Sequence, residues 1–131
     1  MRTIYLAGPI NKCSDKEAND WREAVMKALK GEFEFLNPMV RDYRGVEFEG
    51  KNVSKLVKDD KHDILEAEII LVNANKASWG TAMEIHFAYQ NQKVIVAFTS
   101  EIRPSPWLVY HCTEVLPSLA AALEYLRMEW K

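Results

Sequence analysis

Four short apolar runs, TIYLA (3–7), FEFLNP (33–38), IILVN (69–73) and KVIVAF (93–98), are separated by stretches with helical rather than alternating periodicity. This alternation restricts the fold more than any other feature of the chain. Strands joined through helices pair in parallel with right-handed crossovers, and the helices must cover both faces of the sheet. Helices are predicted over 15–31, with Trp21, Ala24, Val25, Ala28 and Leu29 inward, and over 53–68, with Val53, Leu56, Val57, Ile64 and Leu65 inward. Two more are predicted over 81–91 and 118–130, the latter after a short TEVL strand (113–116). The expected fold class is α/β: a single domain over 1–131, doubly wound in the flavodoxin or Rossmann manner, with a five-stranded parallel sheet in a three-layer sandwich.

Charge and composition narrow the partners. Seventeen Lys and Arg against 19 Asp and Glu leave a net charge of −2, so no general pull draws the chain to polynucleotides or acidic membranes. The apolar run in MRTIYLAGPINK is too short for a signal peptide, and every later run is interrupted by charge before a spanning length, which predicts a cytoplasmic protein. Cys13 and Cys112 form no CxxC, and His62, His86 and His111 match no metal spacing, so neither a disulfide framework nor a metal site is expected.

In a sheet ordered 2-1-3-4-5 the ligand crevice lies beyond the carboxyl ends of strands one and three. The loops there are AGPINK, contributing Gly8, Pro9, Ile10 and Asn11, and NANKASWGT, contributing Ser78 and Gly80. Two longer loops, 38–52 and 99–112, are candidate lids. Trp79, Trp107 and Tyr43 are loop aromatics that could stack on a planar base or simply anchor packing.

Glu84, at the start of the third helix, has two readings. Thr81-x-x-Glu84 has the form of a capping box, which makes the glutamate structural. Alternatively, Glu84 is a carboxylate kept ionised by the first helical turn, able to attack or stabilise an oxocarbenium-like C1′. Asp59, Asp60 and Asp63 in KDDKHD read either as a solvated face or as partner acids for such chemistry, and Tyr5 either as core or as a hydroxyl aimed at Glu84.

YLAGPI on the first strand, DDKHDI before AEIILVN, and S-x-G-T-x-x-E followed by I-x-x-A together resemble the nucleoside 2-deoxyribosyltransferase superfamily, from Ile4 to about the last helix. That superfamily includes transferases that move 2-deoxyribose between bases and hydrolases that cleave nucleoside 5′-monophosphates at the N-glycosidic bond. The resemblance implies that Glu84 is the nucleophile forming a glycosyl-enzyme and that Asp60 holds the sugar or assists base departure, with Asp63 the alternative register. It implies that Tyr5 positions the nucleophile, and that no metal or redox cofactor is used. Ser78 stands where the nucleoside transferases are similar to an aspartate and the monophosphate hydrolases to a serine able to donate to phosphate, so a nucleotide substrate is expected. Asn11 replaces the arginine of those hydrolases, leaving Lys12, Arg41 and Arg44 as the nearest cations. SPWLVYHC (105–112), with Pro106, Trp107 and His111, matches the segment that members lend to a neighbour's site, which implies a homodimer or larger assembly with shared sites.

The expected activity is cleavage of a (deoxy)nucleoside 5′-monophosphate to free base, with deoxyribosyl transfer as the alternative inside the same chemistry. A silent nucleotide-binding module in which Glu84 merely caps its helix is the alternative outside it. The phosphoribohydrolases of the lysine-decarboxylase-like type share a Gly-Thr-x-x-Glu turn, but their PGGxGT run is missing from this chain.

Overall fold

A computed structural model describes all residues, 1–131. Strands β1 (Thr3–Ala7), β2 (Glu34–Leu36), β3 (Ile69–Asn73), β4 (Val94–Phe98) and β5 (Glu114–Leu116) form one parallel sheet in the order β2-β1-β3-β4-β5. The helices are α1 (Asp15–Ala28), α2 (Asn52–Glu66), α3 (Trp79–Gln90), α4 (Pro106–His111) and α5 (Leu119–Glu129), with a 3-10 turn at Pro38–Arg41. The doubly wound α/β fold expected from the alternation is the one observed. No helix is long and apolar enough to cross a membrane.

The two-residue period of β1 divides its side chains between two cores. Ile4 and Leu6 pack with Val25 and Leu29 of α1 and Ala122 and Leu126 of α5. Tyr5 and Ala7 pack with Ile64 of α2 and Ile85 and Ala88 of α3, with Leu108 of α4 against them. Glycine is required at position 8 because a Cβ would lie 2.8 Å from Trp21 Cζ2 and 3.2 Å from Asn73 Cβ, so α1 closes directly on the end of β1.

Several local expectations are corrected. The inner face of α1 is Ala18, Arg22 and Val25, continued by Leu29 at its C-cap; Ala24 and Ala28 point to solvent. On α2, Val53, Val57 and Leu65 are exposed, while Asp59, Asp60, Asp63 and Ile64 turn inward, so the acidic run is not a solvated face. Loop 38–52 opens with the 3-10 turn, started by Asn37, whose Oδ1 accepts from the Met39 amide at 3.0 Å. Loop 99–112 contains α4, whose Pro106 sits in the first turn, where no intrahelical N–H is needed.

Candidate active site

Glu84 does not cap α3. Ser78 is the N-cap: its Oγ accepts from the Thr81 amide at 3.3 Å, and the Thr81 hydroxyl also lies 3.3 Å from it. The helix therefore begins three residues earlier than Thr81-x-x-Glu84 predicts, and Glu84 falls in its second turn. Freed from the backbone, the Glu84 carboxylate turns toward the end of β1 and accepts a short hydrogen bond from the Tyr5 hydroxyl. Tyr5 is fully buried, so its ring is locked by the core and its hydroxyl is aimed by packing.

The electrostatics of this pair also depart from expectation. Burial, followed by the nearby charge of Asp60, pushes Glu84 up to about 8, opposed by the Tyr5 bond and the Arg22 charge. The sequence reading has the helix terminus keeping Glu84 ionised. That fails because the carboxylate lies beyond the first turn, in contact with no backbone amide. Tyr5 is driven far upward by burial, and then by the charges of Glu84 and Asp60, so its hydroxyl stays a donor. Burial raises Asp60 to about 6 against the pull of Arg41. Charge coupling of Asp60 to both Tyr5 and Glu84 puts the three expected catalytic groups at one locus, drawn from β1, α2 and α3.

The cations are arranged differently from the sequence reading. Arg41, at the end of the 3-10 turn, reaches across to α2 and donates to Asp63 at 2.7 Å and Asp60 at 3.2 Å, with Asp59 3.8 Å from its Nε. Burial pulls this guanidinium down, but its bonds to Asp63 and Asp60 outweigh that and raise it. Arg44 is bound to Asp42 and Asp15, each at 2.6 Å, and to the Cys13 carbonyl at 3.2 Å. Neither arginine is a free cation for phosphate. Both pin the 38–52 loop over the crevice instead, one to α2 and one to the loop after β1.

Lys76, which the sequence reading leaves out, bridges the two crevice loops. Its Nζ lies 3.5 Å from the Lys12 carbonyl, 3.7 Å from Glu17 and 3.8 Å from Cys13 Sγ. Its place two residues before Ser78 is the only sequence signal for it. Pro9 is buried while Asn11 is exposed, and Lys12 has a φ of 60°, so the loop after β1 folds back at that point. Gly80 lies exposed in the first turn of α3.

Trp107 and His111 are not brought to the Glu84 locus within one chain. Their rings stack with centroids 6.1 Å apart on α4, and His111 packs edge-on against His86 and Tyr89 of α3. Trp107 and Tyr110 of α4 are open to solvent, as are Trp79 and Met83 on α3.

Comparison with known proteins bears on the family and the fold. The family model for nucleoside 2-deoxyribosyltransferase matches residues 4–121. The fold is similar to that of the 2-deoxyribosyltransferase from Bacillus psychrosaccharolyticus, with a TM-score of 0.73 and 20% identity over 94% of this chain and 91% of that one. It is also similar to a conserved protein from Enterococcus faecalis V583 (TM-score 0.76, 16% identity, 98% of each chain). A third similar fold is that of the CMP N-glycosidase BcmB from Clostridium botulinum (TM-score 0.63, 16% identity, 97% and 98%). No match is found among curated protein sequences.

Proposed function

The chain belongs to the nucleoside 2-deoxyribosyltransferase family, and from that premise we propose that it cleaves the N-glycosidic bond of a (deoxy)nucleoside 5′-monophosphate through Glu84. The observation that carries this reading is the Tyr5 hydroxyl of β1 held on the Glu84 carboxylate of α3. A capping glutamate has no use for such a partner.

In the proposed reaction an ionised Glu84 oxygen bonds to C1′ as the C1′–N bond breaks, and the bonding electrons leave with the base. The departing nitrogen takes a proton from water or from the protonated fraction of Asp60, whose carboxyl burial raises to about 6, while ionised Asp60 holds the sugar hydroxyls. Water then attacks C1′ of the glycosyl ester and gives its proton to the group that protonated the base, Asp60 or solvent, while the C1′–O bond to Glu84 breaks, releasing the sugar phosphate and regenerating the Glu84 carboxylate. Tyr5 donates to the oxygen of Glu84 that does not attack, which fixes the rotamer and favours the charged form.

The phosphate is assigned to the start of α3. Because Ser78 Oγ accepts from Thr81, its own proton is left to donate outward, and the amides ahead of Thr81 have no intrahelical partner. Lys76 adds a positive charge that bridges both loops. The exposed α3–α4 face, centred on Trp107, Tyr110 and Met83, is assigned to a second copy of the chain, which would bring residues of 105–112 to a neighbouring site.

The deciding experiment incubates the protein with nucleosides and their 5′-monophosphates, with and without an acceptor base, and follows free base and exchanged nucleoside. Base release from a monophosphate without acceptor is the expected result. Exchange between free nucleosides alone would move the activity to deoxyribosyl transfer, and nucleotide binding without either product would leave only the silent module.

A further inference from the structure

Arg22 is the largest fully buried side chain of the molecule, yet no carboxylate lies within ion-pair distance of it. Its partners are three carbonyl oxygens: Leu6 at 3.2 Å from Nε, Gly8 at 2.9 Å from Nη2, and Ala18 of its own helix at 2.5 Å from Nη1. Its guanidinium also lies 4.7 Å from the centre of the Trp21 ring. A buried guanidinium without a counter-ion is costly unless its donors are used, which calls for a reason to keep it there.

The β-ladder gives that reason. The Glu34 amide donates to the Arg2 carbonyl at 2.9 Å, and in a parallel pair successive rungs advance two residues on each strand. Two steps on, the donor to the Leu6 carbonyl would be residue 38, which is Pro38 and has no N–H. The pairing of β2 with β1 in fact stops at Leu36 opposite Tyr5. The Leu6 and Gly8 carbonyls, pointing to that same side, are the ones Arg22 takes.

We propose that Arg22 is a positioning residue of the site: its fork replaces the strand missing beyond Leu36, fixing the end of β1 that carries Tyr5 and the loop that begins at Gly8. Divergence of β2 at Pro38 is what sends Arg41 across to Asp60 and Asp63. Arg22 therefore allows the crevice to open on one side of β1 without loosening Tyr5. Gly8 belongs to the same device, since a Cβ there would meet Arg22 Nη2 at 3.4 Å as well as Trp21. This role rests on the reading of Glu84 and Tyr5 given above.

The test uses the full chain with Arg22→Lys, which keeps the charge but not the planar fork, and Arg22→Met, which keeps neither. Amide hydrogen exchange is read over residues 6–13 and over β3 and β4. Exchange over 6–13 should accelerate at least about tenfold in Arg22→Met and less in Arg22→Lys, with β3 and β4 protected as in wild type. Turnover per folded molecule, measured well below the melting temperature, should fall at least about tenfold in Arg22→Met, with kcat losing more than KM changes and Arg22→Lys recovering part of it. Unchanged exchange over 6–13, uniform loss of protection, failure of both variants to fold, or local loosening with unchanged kcat would each overturn the proposal. If wild type cleaves no nucleoside or nucleotide, the proposed function falls, and the exchange pattern alone decides whether Arg22 holds the strand end.

Discussion

Glu84, the proposed nucleophile, shows at the scale of one residue how such a group works against stability. Its carboxyl is raised to about 8 first by burial and then by Asp60, so the folded chain holds a proton there that the unfolded chain, near the ordinary 4.5, has released. Stability from this group therefore falls as pH rises from about 4.5 to about 8. Glu84→Gln removes that liability: its melting temperature should exceed that of wild type at pH 8 and above, while turnover falls by orders of magnitude. A cap would behave in the opposite way, losing about 1 kcal/mol with activity kept. The acid limb of the wild-type kcat/KM profile should lie well above 4.5, toward about 8, because the nucleophile must be ionised. Asp60 is among the causes of that rise and Asp63 is not, so Asp60→Asn should slow turnover and move the limb to lower pH, whereas Asp63→Asn should leave the limb in place. A limb that moves only with Asp63→Asn would shift the assignment by one helical turn.

Among the elements, the strands and their order were legible because apolar runs of four to six residues between helical patterns leave few arrangements open. The start of α3 was not. Ser78 and Thr81 are both good N-caps, and Thr81-x-x-Glu84 offers the more complete local pattern, but a tertiary bond from Tyr5, 79 residues away in sequence, takes the carboxylate that the box would need. Arg22 was missed for a related reason, since periodicity counts apolar residues and its slot in the Ala18, Val25, Leu29 face is filled by a charge whose partners are backbone carbonyls of another element. Arg41 and Arg44 were visible as cations, but the acids of Arg41 come from α2 and one acid of Arg44, Asp15, from the start of α1, which sequence distance hides; only Asp42, two residues before Arg44, is local. The placement of Ser78 also yields a clean substitution. Aspartate caps a helix as well as serine does, so Ser78→Asp should keep α3 intact while setting a full charge against a 5′-phosphate. The ratio of kcat/KM for monophosphate over nucleoside should drop by the equivalent of about 1.5–3 kcal/mol. A ratio that stays constant would mean Ser78 does not read the phosphate.

For the molecule as a whole, the distribution of apolar surface bears on the proposed association with a second copy. One face of the sheet is sealed by α1 and α5, whereas the outer side of α3 and the short α4 leave Trp79, Trp107 and Tyr110 each at least 70% exposed. Exposed aromatics gathered on two adjacent helices are the composition expected of an interface core rather than of a solvated surface. His111 is fixed at the centre of this face, its Nδ1 2.7 Å from the Trp107 carbonyl and its ring wedged among Tyr89, Tyr110 and His86. The face is thus preformed, and little ordering remains to oppose association. Sedimentation of wild type should give a dimer or larger assembly, and Trp107→Glu combined with Tyr110→Glu should give a folded monomer, because a charge buried without a partner opposes association far more than it disturbs an exposed helix. If 105–112 completes a neighbour's site, that monomer should lose most of its turnover although Glu84, Tyr5 and Asp60 are untouched. A wild-type monomer with full activity would show instead that one chain carries the whole site and that the α3–α4 face serves some other contact.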